Sequence, residues 1–534
     1  MLTTHHLGGE TRHRGMWGGG NRARQVGLVV WVIISSFLTL YLRIPGLLMS
    51  VLLLLLVMWG TTERGRDTWY LVWRDNWLWR KRVKRGFTKF RPVQDRPVGF
   101  ELDEVEANTF RDWPEGAEGL YWLQSEPGVP GIAWHLPPAP ESPYLSVTWR
   151  VQGAIRGIEP DHVVNRATKA FAQLTAGTAK SQSLAKSIQM VTRVTRIDMF
   201  PHEEWVASEV RKTEQGDEFD APEALLVSYD QLIGQMEASG LTQGHFLEVS
   251  WPLSDAFKHK ASRRGPEQQG WLELMADEIK VMDRQLRRAR LGRVQPISAR
   301  ELCAVIRHLQ LPSWPSGDLS GVRLEQVGFP YDESARTHVI SEGDDPYGQP
   351  DSWMHRTAEI PVRSLAAASY TALWLMPLLA GLPEQIHRTV STHIVTVPAA
   401  AARGKARADL TSDRAAMLEE RRKGVIADEF IAVGHQAAQI RHADLSPGSG
   451  VQGAGWAMHI TISARNLHEL RDARDIISGG AAEAGIETLD WLDSHHGAAM
   501  SWTWPIGRGM SAMSESATDR AIAALSGQDA EDTL

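Results

Sequence analysis

Two apolar runs, Val26–Leu42 and Ile44–Gly60, stand almost back to back, broken only by Arg43 and the turn pair Pro45-Gly46. Each is 17 residues long, at the short end of what crosses a bilayer core. Val51–Val57 is all large aliphatic residues with no polar side, a pattern that a core helix of a soluble protein rarely shows. A cleaved leader fits poorly. The first 24 residues are Gly-, His- and Arg-rich, no small-x-small site follows the first run, and a second run begins at once. The expectation is a transmembrane helical hairpin at residues 25–60 behind a flexible basic tail, residues 1–24.

Charge decides which way such a hairpin faces. Residues 1–91 carry 15 Lys and Arg against 4 Asp and Glu, whereas the remainder carries 42 against 60. Arg12, Arg14, Arg22 and Arg24 precede the apolar runs, a dense series from Arg64 to Arg91 follows them, and the connecting turn holds only Arg43. Basic residues stay on the cytoplasmic side, so both termini and the bulk of the chain are expected in the cytoplasm of a multi-pass plasma (inner) membrane protein.

Residues 61–91 read as a Trp/Arg-rich juxtamembrane helix. Trp69, Trp73 and Trp77 recur at i, i+4 and i+8, and Arg80, Lys81, Arg82, Lys84 and Arg85 follow. Indoles at the headgroup level with cations beyond them are the pattern of a helix lying on anionic lipid. These eight residues are the expected membrane-surface binding site. The basic run is short and the rest of the chain acidic, so no direct sequence-specific nucleic-acid binding is expected.

Behind this end the chain reads as an α+β cytoplasmic region of two subdomains, mostly antiparallel sheet with helices. Its mean hydropathy of -0.26 and 23% charged residues are those of folded, largely soluble sequence. In the first subdomain, residues 92–310, Leu145, Val147, Trp149 and Val151 alternate with polar residues as in a strand. Pro160 opens a helix, and Ser187–Asp198 and His245–Trp251 are further strands. Gly270–Arg290 is the clearest amphipathic helix, and Ser298 with Glu301 forms a capping box for the next. Residues 311–359 read as a loop-rich linker. The second subdomain, residues 360–510, holds the uncharged Leu365–Leu382, read as buried core and not a third span. It continues with a strand at His387–Val397, a long charged helix at Ala399–Arg441, and a helix capped by Asn466. Residues 511–534 read as a disordered tail.

No motif points to catalysis, and no cofactor or metal is expected. The Gly404-Lys405 pair lacks the upstream glycine of a phosphate loop. His495-His496 beside Asp493 reads as a solvated turn. The single cysteine, Cys303, falls on the capped helix among Leu302, Val305 and Ile306 and reads as core.

The order of parts resembles a known family. The hairpin, the segment Arg85-Gly86-Phe87-Thr88-Lys89-Phe90-Arg91-Pro92, the run His387-Arg388-Thr389-Val390-Ser391 into Val397-Pro398, and Trp502-Thr503-Trp504-Pro505-Ile506-Gly507-Arg508-Gly509 are similar to actinobacterial conjugative-element membrane proteins of the SCO-type, PrgI-related family. Those proteins resemble an inner-membrane hairpin subunit of type IV secretion fused to the non-motor N-terminal region of the secretion ATPase. The resemblance implies a non-catalytic structural component of a DNA- or protein-transfer apparatus. Its implied partners are the lipid bilayer, a separate type IV secretion-type ATPase and other inner-membrane secretion subunits, in a homo-oligomer or a larger complex. Two alternatives are a type VII secretion core subunit with two N-terminal spans and a membrane-anchored, glycosyltransferase-like enzyme. For the latter, Asp344-Asp345 and Asp490–Asp493 are the candidate metal-binding carboxylates.

Overall fold

The structure is a computed structural model. It describes residues 2–7, 22–64, 67–397 and 453–509, apart from 140, 154, 156–158, 181, 198, 200–201, 207, 210–222, 335, 367 and 383–385. Residues 402–404, 407, 439–440 and 443–445 are also described. The expected long charged helix, the C-terminal tail and residues 8–21 therefore fall largely or wholly outside the described residues. The chain divides into two units, residues 10–88 with 101–109, and residues 1–9 with 89–100 and 110–534.

Thr4–Leu7, expected within a flexible tail, forms β1 and belongs to the larger unit. The smaller unit is built on α1, Arg22–Gly60, which over Gly27–Gly60 is long and apolar enough to cross a membrane. Its helical backbone is interrupted at Arg43 (φ 48°, ψ −118°), two residues before Pro45. The segments on either side of the break touch: Trp31 Nε1 donates to the Ser50 carbonyl at 2.8 Å, and a Cβ at Gly27 would lie 2.8 Å from Val57 Cγ1. Phe37, Leu40, Leu48 and Leu55 are among the many apolar side chains left exposed. The short strands β2, Glu63–Arg64, and β3, Asp67–Thr68, pair and lead into α2, Trp69–Lys84. Gly86 ends α2 in a left-handed conformation (φ 78°), with Phe87 N–H bonded to the Arg82 carbonyl. Any Cβ there would strike the Val105 carbonyl of α3, Glu104–Ala107.

The larger unit carries a fourteen-stranded, mostly antiparallel sheet among the described residues. Its first half holds β4 (Lys89–Pro92), β5 (Phe110–Arg111), β6 (Leu120–Gln124), β7 (Ile132–His135), β8 (Tyr144–Val151), α4 (Asp161–Thr178), β9 (Ser187–Arg196) and α5 (Glu223–Ser239). Then come β10 (Leu241–Pro252), α6 (Asp255–Ser262), α7 (Glu267–Arg288), β11 (Val294–Pro296) and α8 (Ala299–Gln310). The second half holds β12 (Tyr331–Ser334), β13 (His338–Asp344), β14 (Pro350–Ile360), β15 (Ala368–Thr371), α9 (Met376–Leu379) and β16 (His387–Val397). It ends with β17 (Gly453–Ala464), α10 (Leu467–Glu483), β18 (Asp490–Trp491) and α11 (His496–Ser501).

The strand order β6-β7-β8-β10-β9 is followed by β16-β17-β14-β13-β12, its mirror in topology. Each half is a three-stranded meander, a crossover to a fourth strand, and a fifth strand returning between the third and fourth. The halves join where β9 pairs with β16, from Arg388↔Val194 to Val395↔Ser187. The two stretches expected as subdomains thus share one sheet.

The faces of that sheet differ in chemistry. One is apolar: Ile188, Leu247 and Val249 pack under α7 in the first half, and Val390, Ile460 and Ile462 under α10 in the second. The other carries Gln189, Arg193, Thr389, Ser391, His393, His459 and Thr461, all buried, under α8 and the segment 499–509.

The polar face explains the largest departure from expectation. Residues 311–359, expected as a linker, supply β12, β13 and most of β14. On this face they place Ser341, Asp351, His355 and Thr357, buried beside Tyr331, Val339 and Trp353, so no clean apolar alternation marks them. The stretch Leu365–Leu382 is not one helix. It folds as β15 and α9, with Leu365 and Leu378 in the core. β15 also takes β1 as its antiparallel partner, Thr4↔Thr371 to Leu7↔Ala368.

Candidate functional site

The expected membrane-surface residues all fall on α2 or just beyond its end. Trp73 and Trp77 are 62% and 51% exposed, Tyr70 lies against Trp73, and Lys81 Nζ stands 5.1 Å from the Trp77 ring centre. Arg80, Lys81, Lys84 and Arg85 are exposed too. Helical spacing places Trp73, Trp77, Arg80, Lys81 and Lys84 on one side. Trp69 and Arg82 differ. Trp69 stacks on Trp59 of α1, centroids 5.5 Å apart and planes 20° from parallel, and Arg82 is half-buried with its guanidinium over Trp79. An indole that already has an aromatic partner contributes less free surface than its spacing implies.

His496, expected in a solvated turn, is buried at the start of α11. Thr357 N–H donates to its Nδ1 at 3.0 Å, and its Nε2 lies 3.1 Å from Asp493 Oδ1, which also meets Arg356. This constellation ties α11 to β14. Cys303 is buried, as expected, and burial pushes its thiol up to about 12, so it is no nucleophile at neutral pH. Among the described residues no group of three or more His, Cys, Asp or Glu could hold a metal ion.

The C-terminal segment Trp502–Gly509 is a strap across the polar face. Gln189 Nε2 donates to the carbonyls of Trp502 (3.1 Å) and Trp504 (2.8 Å), and Gly507 N–H donates to Gln189 Oε1 at 2.7 Å. Thr148 and Tyr144 donate to the carbonyls of Pro505 and Ile506. Gly507 has φ 74°, and a Cβ there would come 2.9 Å from Glu248 Oε1. Glu248 is fully buried. Ser250 Oγ donates to its Oε1, Oε2 has no partner, and burial pushes its carboxyl up to about 8.

A feature that sequence reasoning missed lies on the same face, in the first half. Arg150 of β8 stands opposite Phe246 of β10, and Arg193 of β9 opposite Gly244 of β10. Phe246 and Gly244 are two apart, so all four share one face. There the sheet opens into a cleft of about 430 Å³, reached also by Arg293, His245 and, from α8, His308. No Asp or Glu is among the described residues lining it. Arg193 is 2% exposed; its Nη1 donates to Thr389 Oγ1 at 2.9 Å, while Nε and Nη2 have no partner. Burial, then Arg388, lowers its guanidinium to about 9, still a cation at neutral pH. His308 is held down to about 3 by burial and then by Arg193, and its Nδ1 lies 2.6 Å from the Trp314 carbonyl.

Comparison with known proteins finds no matching family model and no curated protein with significant similarity.

Proposed function

We infer that this chain is a membrane-anchored platform subunit of a transfer apparatus of the type IV secretion or conjugation kind, docking a separate ATPase and fellow membrane subunits. In this reading residues 25–60 cross the bilayer twice, both termini and the bulk of the chain lie in the cytoplasm, and α2 rests on the lipid surface. The observation that carries it is the reversal in α1. A break at Arg43 beside Pro45, the Trp31–Ser50 hydrogen bond and the close approach of Gly27 to Val57 are what two short antiparallel spans require. The outward apolar side chains and the indole and cation stripe of α2 fit lipid and its headgroups.

The role as a platform draws on the sequence resemblance. It is also supported by how the buried histidines are used. His135, His355 and His387 are hydrogen-bonded to Ser146, Ser463 and Thr195 of neighbouring strands, which suits a rigid scaffold. The test is a pair of C-terminal fusions, with affinity purification from membranes. A fluorescent reporter should be bright, an alkaline phosphatase reporter silent, and a secretion-type ATPase should co-purify. An active phosphatase fusion would overturn the topology, and purification without any ATPase would overturn the platform role.

A further inference from the structure

The arginine cleft has a use that the platform role does not supply. Two buried arginines, Arg193 and Arg388, stand on adjacent strands with very different partners. Arg388 is fully buried, and its Nε, Nη1 and Nη2 all donate to carbonyls, those of Leu378, Ile386 and Leu379. Arg193 has one hydroxyl for its whole guanidinium. Arg150 Nε is likewise buried with no hydrogen-bond partner, its guanidinium lying 5.7 Å from the Phe246 ring centre, and among the described residues Arg150, Arg193 and Arg293 form no ion pair. A buried cation without a counter-charge costs several kcal/mol, so folds seldom keep one without a use.

The neighbours cannot supply the missing charge. His308, His355 and His387 are neutral, each held low by burial and then by Arg193. Beyond residue 91 the chain carries far more acidic than basic groups, yet none of the carboxylates lines this cleft among the described residues. Gly244 leaves bare backbone in the floor between Arg193 and the β8 strand, and Thr195, Thr242, Gln295 and Ser316 add neutral hydrogen-bonding groups. The opening has the volume of a small-ligand pocket.

We propose that the cleft binds a small phosphorylated molecule carrying at least two negative charges, its phosphoryl oxygens meeting Arg193 Nε and Nη2 and the Arg150 guanidinium. Three guanidinium groups exceed what one carboxylate neutralises. The planar donor fork matches phosphoryl oxygens in pairs. The volume leaves room for an organic group beyond the phosphates. Binding alone is proposed, with no chemical step.

The experiment is calorimetric titration of the full-length chain in detergent micelles with inorganic pyrophosphate at low ionic strength, and with a Glu-rich peptide in parallel. Saturable pyrophosphate binding that raises the melting temperature and weakens with salt is the expected result. Arg193→Met should weaken it at least about tenfold while leaving the melting temperature of the unliganded chain unchanged or higher, because a buried unpaired cation is removed. Gly244→Leu should weaken it too by filling the floor. A Cβ at Gly244 meets nothing closer than 3.7 Å, so this variant tests the site even if Arg193→Met were to misfold. No saturable binding at millimolar pyrophosphate, or binding indifferent to both substitutions, overturns the proposal. So does binding of the acidic peptide in place of pyrophosphate, which would make the cleft a protein-docking site.

Discussion

Gln189 and Gly507 meet across 318 positions of chain, Gly507 N–H donating to Gln189 Oε1 at 2.7 Å while Gln189 Nε2 serves the strap carbonyls of Trp502 and Trp504. One side chain near the middle of the sheet therefore satisfies three backbone groups of the C-terminal strap. Gln189→Leu keeps the volume close and removes all three bonds. The Gly507 N–H would then be buried unsatisfied, while the Trp502 and Trp504 carbonyls would keep only His393 Nε2 and Ile506 N–H, so the loss should be roughly 1–3 kcal/mol. Urea denaturation of the variant checks this. A midpoint equal to that of the parent would mean that the strap is held by Trp504 and Ile506 packing alone.

Arg388 offers a sharper contrast with the cleft arginine. Replacing it by Met strips the Leu378 and Ile386 carbonyls of their donors and leaves the Leu379 carbonyl with Gln243 Nε2 alone, and should cost about 3 kcal/mol. Arg193→Met, whose donors are mostly unmet, should cost nothing comparable. Thermal melts of the two variants side by side read the difference, and equal losses would contradict the view that only one of these arginines lacks its partner.

Most of the framework was legible because its signals are local. The alternation in β8, the Pro160 start of α4 and the Ser298 capping box, in which Ser298 Oγ accepts from Glu301 N–H and Glu301 accepts from Ser298 N–H, need only a few neighbouring residues. What was not legible depends on a sheet face that is buried and polar. Ser341, His355 and Thr357 look like solvent-facing residues, so β12–β14 read as a loop, and with them went the continuity of the two halves. The cleft was hidden for the same reason. Arg150 sits in the polar half of the β8 alternation, and Arg193 lies in a strand whose alternation Val191 and Thr192 break. Only the pairing of β8 and β9 on either side of β10 brings them to one face.

Glu248 gives the larger unit a pH dependence with a definite sign. Burial raises its folded-state pKa to about 8 from the ordinary carboxyl value of 4.5. The protonated form is the one the fold tolerates, so its contribution is fully present below pH 4.5 and is lost as pH rises through about 8. Denaturation free energy should fall across that window by a few kcal/mol at most, and Glu248→Gln, which keeps the Ser250 contact without the charge, should flatten the fall. A variant whose profile still tracks the parent between those two values would show that another group sets the dependence.

The exposed side of α2 predicts an immersion depth for each of its positions. Trp73 and Trp77 project on the side that also carries Arg80, Lys81 and Lys84, whereas Asp75 lies on the other. Cys303 is the only cysteine and is buried, so a Cys303→Ala background allows single spin labels to be placed at will. In nanodiscs containing anionic lipid, labels at positions 73 and 77 should collide more with oxygen, which concentrates in the acyl region, than with a water-soluble nickel chelate. A label at 75 should show the reverse. Reversing Arg80, Lys81 and Lys84 to Glu should pull labels 73 and 77 toward water, since each cation near an anionic surface contributes about 1 kcal/mol. If all three labels report water in the unaltered helix, the Trp and Lys stripe serves a protein partner and not the bilayer.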